Sequence, residues 1–294
     1  MKKFGLYVLG FKGYRCLQVL ISKFGADCIG FVVGARDRNI TEDHFESIKK
    51  LCFDNCIVFK EKYKPRGINT DVEFAIGWRW LISDLNNLIV FHDSLLPKFR
   101  GFAPLVNALI EGTDEIGVTA LKAIEHYDAG DILAQKKTII GYPKKIIDAI
   151  ENVSELYAEL LLEICEKVIC GKELDFYKQV ESEASYSLWR DEVDYKINWS
   201  REASYIARFI NAVGEPYKGA QTTINGNTVR IYESLVVDDV KIEDRLEHIG
   251  KVIFMNSGLP TVVCGEGLLQ LTCIVNNQGE SLLGEIPFRT RFGL

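Results

Sequence analysis

Short runs of apolar and β-branched residues alternate with stretches of helical period through the first half of the chain, and this alternation restricts the fold more than any other feature. Residues 4–9 read as a strand, and helical spacing follows in Cys16, Leu17, Val19, Leu20 and Ile21. Residues 28–33 are continuously apolar, as expected of a strand buried on both faces of a parallel sheet. Thr41-Glu42-Asp43 predicts a helix N-cap with an acidic first turn. Residues 56–59, 72–77 and 88–91 extend the strand series, residues 116–121 and 132–135 add two more, and a long helix is expected over 146–170. Strands alternating with helices imply βαβ units joined by right-handed crossovers. A Rossmann-like, mostly parallel α/β sheet is therefore expected over residues 1–180. Between its first strand and helix, Gly10-Phe11-Lys12-Gly13 lacks the G-x-G-x-x-G spacing, so it reads as a plain turn and not as a dinucleotide site.

The pattern changes in the second half. Residues 171–198 are polar and acidic, which places a linker at 181–199. Ser200-Arg201-Glu202 caps a helix that buries Ile206, Ile210 and Val213. Asn225-Gly226 lies between two alternating runs, a strong hairpin signal, and residues 259–271 repeat the idea with a looser turn. A smaller antiparallel, OB-like barrel over 200–294 is the economical reading.

Composition narrows the function classes. The 294 residues carry a net charge of −6 with no block of Lys and Arg, which gives a nucleic-acid surface no support. No apolar run reaches the length of a membrane span. Met1-Lys2-Lys3 leads into an apolar run too short for a signal peptide. The eight cysteines lack paired metal-ligand spacing, so no metal site is expected, and buried free thiols in a reducing cytoplasm fit them.

Four histidines occur, and His44 and His248 sit in charged surroundings that suggest solvated side chains. His126 lies beside the turn Tyr127-Asp128-Ala129-Gly130-Asp131 and could line a site there. His92 stands apart, because it ends the apolar run 88–91 and opens the loop Asp93-Ser94-Leu95-Leu96-Pro97-Lys98-Phe99-Arg100-Gly101. Ligands of open α/β sheets gather at the carboxyl ends of strands. A histidine there, facing a carboxylate, is an acid–base unit; a core or capping histidine is the plainer alternative. Gly77-Trp78-Arg79-Trp80 follows another strand end, where two rigid aromatics either fill the core or line a pocket for a flat ligand.

The ordered series from His92-x-Ser94-Leu95-Leu96-Pro97-x-Phe99-Arg100-Gly101 through Ala103-Pro104, Gly117-Val118-Thr119 and Asp128-Ala129-Gly130-Asp131 resembles the folate-dependent formyltransferases. Ile197-Asn198-Trp199-Ser200 and Pro216-Tyr217-x-Gly219-Ala220 extend the resemblance into the second domain, so it covers nearly the whole chain. It implies formyl transfer from 10-formyltetrahydrofolate to an amine, without metal. The family's Asn-x-His…Asp triad maps its His to His92 and its Asp to Asp128. Val90 occupies the Asn position, and Val cannot donate to an oxyanion, a loss worth about 2.7–4 kcal/mol in other acyl-transfer sites. Asp93 is a further departure, since that position is usually small or Pro. By the same resemblance Gly77, Trp78, Arg79, Ser94, Leu95, Leu96, Pro97 and Gly130 would hold the folate. Lys98, Arg100, Gly101, His126 and Tyr217 would meet the acceptor.

Two acceptor classes compete. Residues 190–294 hold eleven Lys/Arg against fourteen Asp/Glu, a balance of −3, and residues 34–40 lack the long basic loop of the tRNA enzymes. The resemblance is thus read as nearest to enzymes that formylate a nucleotide-linked, UDP-type amino-deoxysugar for a surface glycan, for instance in a pseudaminic-acid-type pathway. Methionyl-tRNA formyltransferase is the alternative, and an inert folate-binding relic or a formate-releasing hydrolase are others. The hydrolase relatives carry a different N-terminal domain. The expected partner is a small nucleotide sugar with no nucleic acid or membrane, and a homodimer is left open.

Overall fold

A computed structural model of the protein describes residues 2–293. In chain order the first elements are β1 (Phe4–Val8), α1 (Gly10–Phe24), β2 (Ile29–Gly34), α2 (Phe45–Asp54), β3 (Phe59–Glu61), β4 (Val72–Ile76) and β5 (Leu88–His92). Then come β6 (Arg100–Gly101), α3 (Pro104–Glu111), β7 (Glu115–Lys122), β8 (Ile132–Ile139), α4 (Ile146–Ile169) and β9 (Tyr186–Ser187). The last are α5 (Ala203–Val213), β10 (Ala220–Ile224), β11 (Asn227–Val237), β12 (Val252–Asn256), β13 (Leu259–Val263) and β14 (Leu268–Val275). Two compact units form: one from Met1–Leu105, Asp114–Ile140 and Asp148–Trp189, the other from Val106–Thr113, Gly141–Ile147 and Arg190–Leu294.

The first unit is built on a seven-stranded sheet of order β3-β2-β1-β4-β5-β7-β8. All neighbours from β3 to β5 are parallel, and β7 runs against both β5 and β8. Burial on both faces explains the unbroken apolar run of β1; β4 is buried at every position too, with its one charge, Glu73, bound by Tyr7, Thr70 and Lys64. Phe74 and Phe91 share one face, where Tyr157 of α4 packs on Phe91; Tyr7, Ala75 and Val90 share the other. Gly13 lets α1 approach β1, because a Cβ there would lie 2.7 Å from Val8 Cβ.

Several local expectations shift. The expected turn at 10–13 is already helical, since α1 starts at Gly10 with φ 64°. The helix expected from Thr41 begins at Phe45, whose N–H donates to Asp43 Oδ1 at 3.0 Å. His44 is not a solvated surface group: it sits half-buried at the α2 N-cap, its ring stacked on Tyr14 with centroids 5.8 Å apart. The strand expected at 56–59 starts only at Phe59, because Ile57 N–H still donates to Cys52 O at the end of α2. The segment read as a linker is partly structural, since Ile132 and Tyr177 exchange both backbone bonds and β9 pairs in parallel with β6.

In the second unit five antiparallel strands run in the order β10-β11-β14-β13-β12. Asn225 and Gly226, at φ 49° and 79°, make the tight β10–β11 turn that their sequence announced. Ser257 and Gly258 make a second such turn, at φ 52° and 80°, between β12 and β13. Both edges of the sheet are bridged by the last residues of the chain, Ile224 to Phe292 and Lys251 to Arg291. These single bridges cover part of each edge, but β10 and β12 do not pair, so the expected barrel is an open five-stranded antiparallel sheet among the described residues. Among the described residues no helix is long and apolar enough to cross a membrane, and no cluster of three His, Cys, Asp or Glu could hold a metal. All eight cysteines are free thiols.

Candidate active site

The first unit carries the site. His92 is the last residue of β5, paired with Thr119 of β7, and only 7% exposed. Side chains alternate along a strand, so His92 shares the face of Val90, while Phe91 points to α4. Asp128 comes from the turn between β7 and β8, in the left-handed region at φ 52°. The two meet: Asp128 Oδ1 lies 3.5 Å from His92 Nδ1, and Oδ2 accepts the Gly101 N–H at 2.8 Å. His92 Nε2 lies 2.8 Å from the carbonyl oxygen of Phe99. Each ring nitrogen therefore faces an oxygen atom, and a neutral imidazole can donate to one of the two.

The turn bearing Asp128 is held from two sides. Gly130 is forced by contact, since a Cβ there would sit 1.8 Å from Lys122 O. Gln179 Nε2 donates to the carbonyls of Asp128 and Gly130, at 2.7 and 2.8 Å. Gln179 Oε1 in turn accepts from Arg100 Nε and Nη2, at 3.0 and 2.9 Å. Arg100 was expected to meet the acceptor substrate, and the structure corrects this. It is 1% exposed, with its guanidinium committed to Gln179, Glu181 and Tyr186. It acts as a clamp that fastens residues 179–187 to the turn bearing Asp128.

The loop after His92 is similarly pinned. Thr119 Oγ1, fully buried, donates to Ser94 O at 2.7 Å and accepts from Leu96 N at 3.1 Å and Gln135 Nε2 at 2.8 Å. Gln135 Nε2 also reaches Leu96 O at 2.9 Å. Ser94 and Leu96 are buried, whereas Leu95 and Pro97 keep some exposed surface. A ligand would thus meet this loop through apolar side chains more than through the backbone groups that Thr119 and Gln135 occupy. Gly117 makes room for Leu95, whose Cδ2 would lie 2.6 Å from a Cβ there.

Gly77, at φ 63°, follows directly on β4, and a Cβ there would lie 3.0 Å from Leu9 O. Trp78 packs against the core cluster of Tyr7 and Phe31, while Trp80 is 44% exposed with its ring 4.9 Å from that of Trp78. The two readings of this motif divide between its two tryptophans. Trp78 Nε1 is buried without a hydrogen-bond partner among the described residues. Arg79 Nη1 lies 2.7 Å from the buried Asp37, so its charge is already compensated. Lys98 and His126 are exposed, and Tyr217 belongs to the second unit, in the turn after α5.

Val90 packs against apolar clusters that include Leu96, Leu121 and Ile132. Asp93 turns toward the helices, where Lys12 of α1 and the Tyr157 hydroxyl of α4 both bind its carboxylate. Burial opposes ionisation of Asp93, but the Lys12 charge, the two hydrogen bonds and His92 outweigh it and hold the carboxyl below its ordinary range. Burial, then the Asp93 charge, push the Tyr157 phenol well above its ordinary value. Lys12, Thr119, Gln135, Tyr157 and Gln179 escaped the sequence reading as functional residues. Two signals were present: Thr119 stood in the Gly117-Val118-Thr119 motif, and Asp93 was a charge next to the histidine.

Comparison with known proteins points to one family. Residues 79–163 match the family described as formyl transferase, and residues 191–285 its C-terminal domain, together more than half of the chain. A methionyl-tRNA formyltransferase of Lactococcus lactis subsp. lactis is 36% identical over 202 residues, 69% of this chain and 61% of that protein. The chain spans about three fifths of the length of the curated relatives it matches. Among solved structures, WlaRD, a sugar 3N-formyl transferase in the presence of dTDP and 5-N-formyl-THF, superposes with a TM-score of 0.68 at 20% identity, over 92% of this chain and 97% of that one. The N-formyltransferase from Helicobacter canadensis, in complex with folinic acid and dTDP-3-aminofucose, gives 0.67 at 17% identity, over 92% and 99%. Both share its fold.

Proposed function

The chain belongs to the formyl transferase family, and we propose that it moves a formyl group from 10-formyltetrahydrofolate to the amine of a nucleotide-linked amino-deoxysugar. The observation that carries the reading is His92 Nδ1 lying 3.5 Å from Asp128 at the carboxyl end of β5. The amine attacks the formyl carbon, a tetrahedral intermediate forms, and its collapse breaks the bond to the folate nitrogen, which leaves carrying the proton that His92 has taken from the amine. His92 takes the amine proton, and Asp128 stabilises the resulting imidazolium. For Nε2 to accept that proton, its contact with Phe99 O must be exchanged for one with the amine. Protonated His92 then offers the oxyanion a charge that the Val90 side chain cannot. The residues present suit a folate: Leu95, Pro97 and Trp80 offer apolar surface, and the unpartnered Trp78 N–H is the kind of donor a pterin oxygen or nitrogen satisfies. All eight cysteines being free thiols supports a cytoplasmic setting.

The sugar acceptor rests on charge, since the −3 of residues 190–294 disfavours a phosphate-tracking surface. A methionyl-tRNA acceptor is the second reading, favoured by relatives of that name at 33–36% identity. Incubation with 10-formyltetrahydrofolate and a panel of UDP- and dTDP-linked 3- and 4-amino sugars, alongside methionyl-tRNA, separates them. Mass gain of one formyl group on a sugar supports the first reading. Preferential formylation of the tRNA rejects it.

A further inference from the structure

Beside His92, on the opposite face of the sheet, lies an ionic group that the proposed reaction does not use. Asp93 is bound by Lys12 Nζ from α1 and by the Tyr157 hydroxyl from α4, and the same hydroxyl lies 3.1 Å from Phe91 O. Two helices thus grip the final turn of β5 through one carboxylate. Lys12 stands in the first turn of α1, which holds no acidic residue, so the helix dipole disfavours its charge there and Asp93 supplies the compensation. A partly buried ion pair of this kind adds little net stability, so stability alone does not account for it.

We propose that Asp93 is a positioning residue for His92: gripped by Lys12 and Tyr157, it fixes the strand end that carries the imidazole and sets the imidazole's readiness to hold a proton. The charge of His92 favours the Asp93 carboxylate, and by reciprocity the carboxylate favours the imidazolium. Lys12 opposes it. The pair therefore works as a balanced couple, and loss of either member unbalances His92 in opposite senses. The other ionisable groups packed around this strand end are Asp128, the buried thiol Cys16 of α1, which burial keeps neutral, Tyr157, and Arg100, which Glu181 compensates. None of these changes charge when Asp93 or Lys12 is replaced.

The inference rests on the acid–base role proposed for His92, and its test needs no substrate. The ring C–H signals of His92, assigned by their loss in His92→Gln, are titrated by NMR in wild type, Asp93→Asn, Lys12→Met and the double variant. Asp93→Asn should lower the titration midpoint by about one pH unit, Lys12→Met should raise it by a similar amount, and the double variant should return close to wild type. Packing damage does not produce opposite signs. Midpoints that move in the same direction, or not at all, overturn the proposal. Should Asp93→Asn fail to fold, the rise in Lys12→Met and its cancellation in the double variant decide the matter. The pH profile of formyl transfer should follow the same signs. Absence of transfer by wild type to every candidate amine would sink the proposed reaction while leaving the NMR titration to judge the positioning role.

Discussion

Replacing Asp128 by Asn tests the site with the least structural disturbance. The Asn side chain keeps an oxygen for the Gly101 N–H, now 2.8 Å from Oδ2, and the turn stays pinned by Gln179 through main-chain carbonyls. What it removes is the charge 3.5 Å from His92 Nδ1. At an effective dielectric of ~20, two unit charges at that separation attract by about 4.7 kcal/mol, an upper limit on what the carboxylate gives the imidazolium. Conversion at 1.36 kcal/mol per decade gives a ceiling of roughly 3.5 decades in rate. The expected loss in kcat for formyl transfer is therefore about 10²–10³-fold, below that ceiling and within the range typical of general acid–base groups. The assay is steady-state formylation of the acceptor found in the panel, read by mass spectrometry. Thermal midpoint should fall by no more than about 2–4 °C, the equivalent of roughly 1 kcal/mol in a domain of this size. Activity within tenfold of wild type would refute the charge pairing, whatever the fold.

Three further outcomes follow from the contacts around the site. Gly130→Ala drives a methyl against Lys122 O, at 1.8 Å in the present backbone, so the turn must move and kcat should drop at least ~10-fold with Asp128 itself intact. Thr119→Val strands the Leu96 N–H and a Gln135 amide hydrogen in the buried loop, and urea unfolding should register a loss of about 2–3 kcal/mol. Asp93 has its carboxyl held below the ordinary value, so its contribution is complete above ~3.9 and disappears as pH falls through the lower folded value. Asp93→Asn should accordingly flatten the dependence of stability on pH below about 4, and a wild-type slope there would contradict the ionised pair.

Much of this arrangement was legible before any coordinates. Strands β1, β2, β4, β5, β7 and β8 announce themselves because both faces of a mostly parallel sheet demand apolar residues, and Asn225-Gly226 announces its hairpin because few residues accept positive φ twice in succession. His92 was marked by position, at the end of a buried strand, and Asp128 by resemblance. The starts of α2 and β3 were misplaced, since Asp43 caps from outside the helix and the end of α2 delays the strand.

The roles of Arg100, Gln179 and Asp93 were not legible. Arg100 in a glycine-flanked loop reads as a substrate contact, and residues 171–198 read as a linker, because neither local pattern reveals that the two segments meet. Lys12 and Tyr157 lie 81 and 64 positions from Asp93 along the chain. The amino-acid sequence by itself determined which segments must be strands and which residue types could do proton chemistry, because periodicity and side-chain chemistry are local properties. Tertiary structure alone decided which of those residues serve the site and which brace it, because hydrogen bonds and charges act across distances that sequence separation does not measure.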